Sequence, residues 1–568
     1  MRKPGRENKM ILLCSLAAIF VACLPLFTVN CIVGHDSAYH LLRIEALKTD
    51  ILAGNPFPKV NSLYFGGRGY ASSMFYPDLM LYLPALMRCV GVPINLCFNL
   101  FAGVCVFAAF FSMFAVTRAI VLRFCGRDGY IAGAAGVASA LIYTLSQYHL
   151  DDIYTRSAVG EYTAMIFLPL VLYGLYDMLM GGMKRPEVLT IGFAGLLLCH
   201  TTTTIFALIL TACVFIYSLA HRCIRGRMKK GWILRIVFAA FSTLMITAFY
   251  WAPMMEQFSF ASFHTGAGGF DLDYEKLLLR DVFANKNPAL GIAQVLILFL
   301  LFILANLYGK ERKLRFLGGV LGISGLVCVL GSTGIVPWRA LQDILEFVQF
   351  PWRLYVMATP LLSMAAALYL ACFLMGIKKH GEIGHKTPVT ALALVACIMI
   401  ISAVSNFSRM DQGYYSYSDD YYSYVPFTGE VIGGEWLPSK VTDRKKLTKN
   451  CDRAVTAYGG VLTVERDEKG LSLSMPAKAE YVDLPLIYYR GYEAFDEKGE
   501  SLVCDGLGEN GSVRVYSPPE GVLRVRYAGT GTQKASGVLS VVFFALWVVL
   551  GKTNPVIKPV KHSDKERL

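Results

Sequence analysis

Blocks of apolar sequence about 17–22 residues long recur along the chain, and a bilayer core is crossed by about that length of helix. Twelve such blocks are expected to be spans: 10–33, 95–117, 130–148, 163–180, 187–199, 203–220, 232–252, 289–308, 316–332, 354–376, 388–405 and 536–551. The composition agrees. Only 17% of the 568 residues are charged against 55% hydrophobic, and mean hydropathy is +0.48. A soluble domain carries about 25% charge. Soluble enzymes, nucleic-acid-binding domains and disulfide scaffolds are thereby excluded as descriptions of the whole chain. The net charge of +13 reads as a topology signal, with no nucleic-acid partner.

Short cytoplasmic loops are rich in Lys and Arg. With twelve spans, every basic connection falls on one side: the start (Arg2, Lys3, Arg6, Lys9), Arg118/Arg123/Arg127, Lys184/Arg185, Arg222 to Lys230, Lys310 to Arg315, Lys378 to Lys386, and the tail. These segments hold 26 basic residues and seven acids, so the inside face is +19 and the rest −6. Both termini are therefore expected in the cytoplasm. Residues 187–199 are short for a span, so 187–220 reads either as two spans or as a hairpin meeting at His200. The basic start before the first span reads as a signal anchor rather than a cleaved signal peptide.

Two outer segments are long. The first, 34–94, follows span 1. The second, 406–535, opens with a Tyr-rich run around Asp419-Asp420. It then alternates apolar and polar residues, as in Leu471-Ser-Leu-Ser-Met and Val522-Leu-Arg-Val-Arg-Tyr. Period-2 runs between Gly, Pro and Asp turns predict short antiparallel strands. The fold class expected is an all-α polytopic membrane protein with a small extracytoplasmic β-sandwich near the C-terminus. Its parts are a transmembrane domain 1–405, the β-rich domain 406–535, and a final helix with a basic cytoplasmic tail, 536–568. Cys451 and Cys504 are the two thiols of the outer domain, and their pairing stays open.

Ionisable groups near membrane depth are functional suspects. Four clusters fall on the outer side. In the first, Asp36, His40 and Arg43 share a helix face if 37–53 is helical, beside His35. That groove suits a metal or a phosphate; otherwise Asp36 caps the helix and Arg43 faces headgroups. The second holds Asp151, Asp152, Tyr154, Arg156 and Glu161. The paired carboxylates suit a divalent cation and Arg156 a phosphate; a solvated turn with a local ion pair is the alternative. The third is His200 before Thr201–Thr204, as ligand contact or satisfied core residue. The fourth is Trp352-Arg353 entering span 10, where an outer Arg contacts lipid phosphate or snorkels.

Residues 35–47 (HDSAYHLLRIEAL), 57–86 (FPKVNSLYFGGRGYASSMFYPDLMLYLPAL), 154–176 (YTRSAVGEYTAMIFLPLVLYGLY) and 349–354 (QFPWRL) resemble a bacterial integral membrane family labelled "6-pyruvoyl-tetrahydropterin synthase-related". That family is similar to GT-C-type membrane glycosyltransferases that decorate cell-wall polymers, whose hallmark is an Asp directly after the first span. The resemblance covers most of 10–405, and Leu484 to Ala528 looks like the β-domain that closes such proteins. It implies a GT-C-like fold in the bacterial cytoplasmic membrane, with the active site on the outer face. It also implies an inverting transfer from a polyprenyl-phosphate-linked sugar to a cell-wall polymer or glycolipid acceptor. Asp36 is then the base or a metal ligand. His35, His40, Arg43, Tyr154, Arg156, Glu161, His200, Trp352 and Arg353 are substrate or phosphate contacts. Asp151 and Asp152 would hold a divalent cation, Mg or Mn. The family pattern has paired acids after span 1, whereas Asp36 stands beside His35, which leaves the metal requirement open. A transporter or flippase for a lipid-linked precursor, and a non-catalytic envelope assembly protein, are the competing readings. An enzyme requires that Asp36, Asp152 and Arg353 line one cavity open to the lipid; a scaffold does not.

Overall fold

The computed structural model describes residues 6–126, 129–264, 269–282, 289–379, 387–408, 413–415, 434–467 and 470–553. The basic residues before 6, the Tyr-rich run beyond 415 and the tail after 553 lie outside the described residues. The chain is mostly helical, and each of the twelve apolar blocks contains a helix.

Not all of the twelve expected spans are matched by a helix of spanning length. Among the described residues seven helices are long and apolar enough to cross a membrane: Ile94–Cys125, Val159–Gly181, Thr201–Ile224, Arg312–Gly331, Pro351–Lys378, Pro388–Phe407 and Gly531–Val549. Two bent pairs raise the number to nine. Gly129–Thr144 and Gln147–Tyr154 meet at 48°, and Lys230–Ile246 and Ala248–Phe260 at 71°. The remaining blocks form shorter helices. Pro186–Leu197 has 12 residues, about 18 Å at 1.5 Å per residue, well below the roughly 30 Å hydrocarbon core. It joins Thr201–Ile224 at His200, whose ring accepts the Thr203 amide as the helix cap. The first block stops early as well. Its helix ends at Ala22, and Pro25, which cannot donate to a helix ladder, sits in a tight turn before the strand Cys31–Val33.

Pro351–Lys378 is the central helix, nearly all buried. Small residues let its neighbours approach. A Cβ on Gly325 would lie 2.6 Å from Leu362, and one on Gly318 2.9 Å from Tyr369.

Beyond residue 434 the chain builds two five-stranded antiparallel sheets. One runs Cys504–Asp505, Ser512–Tyr516, Tyr481–Ile487, Arg453–Thr456, Val461–Thr463; the other Glu465–Asp467, Gly470–Met475, Gly521–Tyr527, Tyr492–Phe495, Ser501–Leu502. Alternate residues of both sheets (Val482, Leu484, Val513, Val515; Leu471, Leu473, Leu523, Val525) share one core, as the period-2 pattern requires. Cys451 and Cys504 do not pair. Their thiols bond to the carbonyls of Phe65 and Tyr492.

The first outer loop is tied to this sheet region. Ile487 N–H donates to Arg68 O and Arg466 to Gly67 O, and Tyr70 packs on Trp436. Strand Cys31–Val33 pairs antiparallel with Gly413–Tyr415.

Candidate functional site

The site begins where two loops are stitched together. His35 N–H donates to Thr155 O (3.1 Å) and Asp36 N–H to Arg156 O (2.8 Å). Gly34 permits this approach. A Cβ there would lie 2.4 Å from Ser157 Oγ and 2.7 Å from Ser157 N. Asp36 stands at the N-cap position of helix Ser37–Leu52, but its carboxylate makes no cap bond; the capping alternative therefore fails. The side chain is exposed to water, yet surrounding protein raises its pKa above 3.8. The carboxylate thus meets water on one side and protein on the other. Opposing that rise are Arg156 and Arg353, while Glu161 adds to it. The first loop, the 147–161 turn and the 349–354 turn therefore converge.

Behind Asp36 lies a buried ion network with Glu161 at its centre. Glu161 accepts from Arg156 (2.8 Å), Arg353 Nε (2.7 Å) and Tyr148 OH (2.7 Å). Arg156 also pairs with Asp152, its partner one helical turn earlier. Arg353 donates further to Val348 O and Gln349 Oε1. Trp352 lies under the Arg156 guanidinium at 4.7 Å, a cation–π contact. Buried charges persist only when paired and hydrogen-bonded, and all four here have a partner, although Asp152 Oδ2 is buried without one.

His40 and Arg43 lie on the same helix, one turn beyond. Arg43 donates to Tyr76 O (3.2 Å) and Pro77 O (2.7 Å), with its guanidinium 4.2 Å from the Tyr76 ring. Its donors serve the fold of the first loop more than a ligand. His40 is buried beside the Tyr39 and Tyr76 rings. Burial, then Arg43 and His200, push its pKa well below 6.5, so it is neutral at pH 7. His200 borders the network. A Cβ on Gly160 would touch Tyr76 OH at 2.4 Å and the His200 ring at 2.9 Å.

Two expectations fall away. Tyr154 is fully buried, donates to Ala22 O and packs on Phe407; it anchors the first helix and lies apart from the site. Asp151 and Asp152 do not converge as a cation site, because adjacent helical side chains point about 100° apart. Asp151 turns to Gln147 and the Ala289 backbone, Asp152 to Arg156. No group of three or more His, Cys, Asp or Glu side chains placed to hold a metal ion occurs among the described residues.

Tyr76 and Trp436, absent from the expected site residues, also border the site. Tyr76 stacks on Trp436 at 5.7 Å and Trp436 contacts Tyr70 at 5.9 Å. The only sequence signal for Tyr76 was its place inside the FYPDL run; Trp436 carried none.

Beside the site opens a mostly apolar cavity of about 680 Å³. Among its lining residues are Lys59, Pro77, Asp78, Leu198, Tyr250 and, from the final helix, Val541. Lys59 donates to Phe249 O. Asp78 keeps Oδ2 buried without a partner, and its pKa is raised by burial against the pull of Arg43. Tyr250 OH donates to Phe75 O. The stretch Phe75–Asp78 is thus the wall between the Asp36 recess and the cavity.

A family model described as "Family of unknown function (DUF6541)" matches residues 2–431; the pterin-synthase-related label is not carried by that match. An uncharacterized protein of Lactococcus lactis subsp. cremoris (strain MG1363) is 21% identical over 603 aligned positions, covering 96% of this chain and 95% of the relative. Among solved structures, the chain is similar to arabinofuranosyltransferase AftD from Mycobacteria (15% identity, TM-score 0.41, 70% of this chain). It is also similar to the Archaeoglobus fulgidus oligosaccharyltransferase in the apo form (12% identity, TM-score 0.29, 74% of this chain). It spans 26% of the former and 57% of the latter.

Proposed function

The chain belongs to DUF6541, a family of unknown function, and from that premise we propose a membrane glycosyltransferase that moves a sugar from a polyprenyl-phosphate donor to an extracytoplasmic cell-envelope acceptor. The observation that carries the reading is one unused carboxylate, Asp36, in a watered recess against two buried arginines, with an apolar cavity on the far side of the Phe75–Asp78 wall.

The donor lipid lies in the cavity, whose side toward the bilayer is the final helix. The donor phosphate extends out of the cavity past Tyr76 of the Phe75–Asp78 stretch to reach Arg156 and Arg353. Their guanidiniums are held in place by Glu161 before substrate arrives, and preorganised charge is what stabilises a leaving group. The acceptor hydroxyl enters from water at Asp36. Its oxygen bonds to the anomeric carbon as the bond to the phosphate oxygen breaks, and its proton passes to the Asp36 carboxylate. The lipid phosphate leaves with the electron pair, and the single displacement inverts the anomeric carbon. A raised pKa suits Asp36 to this task, since a base works best with its pKa near operating pH.

The orientation follows from the charge at helix ends. We read it from Thr201–Ile224, which follows His200 and carries His221 and Arg222 in its last turn, and from Ile94–Cys125, which carries Arg123 in its last turn. With the basic ends in the cytoplasm, the site faces outward from the bacterial cytoplasmic membrane. Polar groups gathered at one end of the helices, rather than at mid-depth, favour an enzyme over a transporter.

The test is sugar release from a panel of radiolabelled polyprenyl-phosphate donors, with and without divalent cation, by the protein in lipid. Turnover lost in Asp36→Asn at equal folding supports the reading. Equal turnover in both removes Asp36 from the mechanism.

A further inference from the structure

A second cleft lies away from the Asp36 recess, where the first outer loop meets the sheet region. It has a volume of about 530 Å³, within the roughly 300–1,000 Å³ of ligand sites. Five cations line it: Arg68, Lys445, Lys446, Lys449 and Arg453. Its three acids are already engaged. Asp483 is held by both arms of Arg514 (2.6 and 2.9 Å), Glu509 by Lys446 (2.7 Å), and Asp443 accepts the Lys445 amide. The side chains of Lys445, Lys449 and Arg453 remain exposed, Arg453 with the Asp452 carboxylate at 4.0 Å. Between them lie Val455 and Val461, 37% and 59% exposed.

The walls are fixed before any ligand arrives. Asn510 Oδ1 accepts the amides of Thr442 and Asp443, and its Nδ2 donates to Asp443 O. Arg68 donates to Lys449 O, tying the turn 444–448 to the first loop. Like charges gathered on a braced turn repel one another. Such a cluster is relieved by an anion, and Lys and Arg are the side chains that take phosphate. The exposed valines add an apolar strip, which a bare polyphosphate has nothing to cover and the C–H face of a sugar ring does.

We propose that this cleft binds an anionic glycan, a sugar-bearing phosphodiester polymer. On the transferase reading it is the acceptor, held outside the membrane near Asp36, because the loop that forms the cleft wall at Arg68 continues through Tyr70 to Tyr76, and both rings pack on Trp436 of the second outer segment. Only that last role rests on the proposed function; binding does not.

The experiment uses the full chain in nanodiscs of neutral lipid and four fluorescent probes. These are glycosylated poly(glycerol phosphate), polyphosphate of equal charge, neutral dextran, and vesicles containing phosphatidylglycerol. The glycosylated polymer is expected to bind at least tenfold tighter than polyphosphate or dextran, and more weakly as salt rises. The triple variant Lys445→Glu/Lys449→Glu/Arg453→Glu, all at exposed positions, is expected to lose that binding at least tenfold with an unchanged melting curve. Val461→Asp is expected to remove the preference over polyphosphate, and provides a second readout if the triple variant fails to fold. Equal binding of polyphosphate, preferential binding of the vesicles, or undiminished binding by the variants overturns the proposal. Binding without any turnover leaves the cleft standing and sinks the transferase. Donor turnover in a chain that binds no polymer does the reverse.

Discussion

Glu161→Gln is the sharpest perturbation of the buried network. The side chain is 1% exposed and accepts from two guanidiniums and one phenol, at 2.8, 2.7 and 2.7 Å. The amide keeps the shape and loses the charge. Its oxygen still accepts one donor, while its NH₂ group turns a second donor toward a cation. Arg353 then has only neutral partners, Val348 O and Gln349 Oε1, and Arg156 keeps Asp152 alone. Stranding a buried charge costs about 3–5 kcal/mol, against a total stability on the order of 5–15 kcal/mol. Unfolding by SDS titration in mixed micelles is expected to show that loss. A double-mutant cycle with Arg156→Gln is expected to show coupling of about 0.5–3 kcal/mol. A loss below about 1 kcal/mol, the worth of an exposed pair, would refute the reasoning, since the network would then be wet and unable to hold the arginines.

Gly34→Ala places a methyl against Ser157 and the Arg156 backbone; overpacking of this kind costs about 1–3 kcal/mol, and donor turnover is expected to fall far more than membrane expression. The pH profile of turnover is expected to fall on the acid side, along a limb above the ordinary Asp value because burial raises the Asp36 pKa, and Asp36→Asn abolishes turnover rather than moving the limb. Asp50, buried against Asn61 and Ser62, has its pKa raised to about 6. The folded state thus holds its proton more tightly than the unfolded chain, so a contribution of at most about 3 kcal/mol is full below about pH 4 and lost as pH rises through 6. Unfolding midpoints at the two ends of that window check this, with Asp50→Asn as the flat control. Val541→Trp, which fills the cavity, is expected to raise KM for long-chain donors and leave water-soluble short-chain donors unaffected.

Much of this was legible in the chain. The helices were, because apolar blocks have few alternatives in a bilayer. The strands were, because both sheets follow the period-2 pattern. Asp36, Arg156, Glu161 and Arg353 were, because charge at membrane depth needs a reason. What sequence could not supply was direction. Asp151 and Asp152 read as a pair, yet adjacent helical residues diverge. Tyr154 sits in the same run as Arg156 and faces the first helix instead. Tyr76 and Trp436, about 360 positions apart, meet only through the docking of two outer segments. The bend at Thr247 comes without a proline or glycine at the break to announce it, whereas the break at His200 was already open in the short block 187–199.

The final helix, Gly531–Thr553, closes a cavity whose other walls begin at Asn55. At roughly 5–20 residues per second, about 20–100 s of synthesis separate the two. Throughout that interval the recess faces bilayer on the side the helix later covers. On the transferase reading, that side of the cavity is open to lipid until the helix carrying Gln533, Gly537 and Val541 is in place.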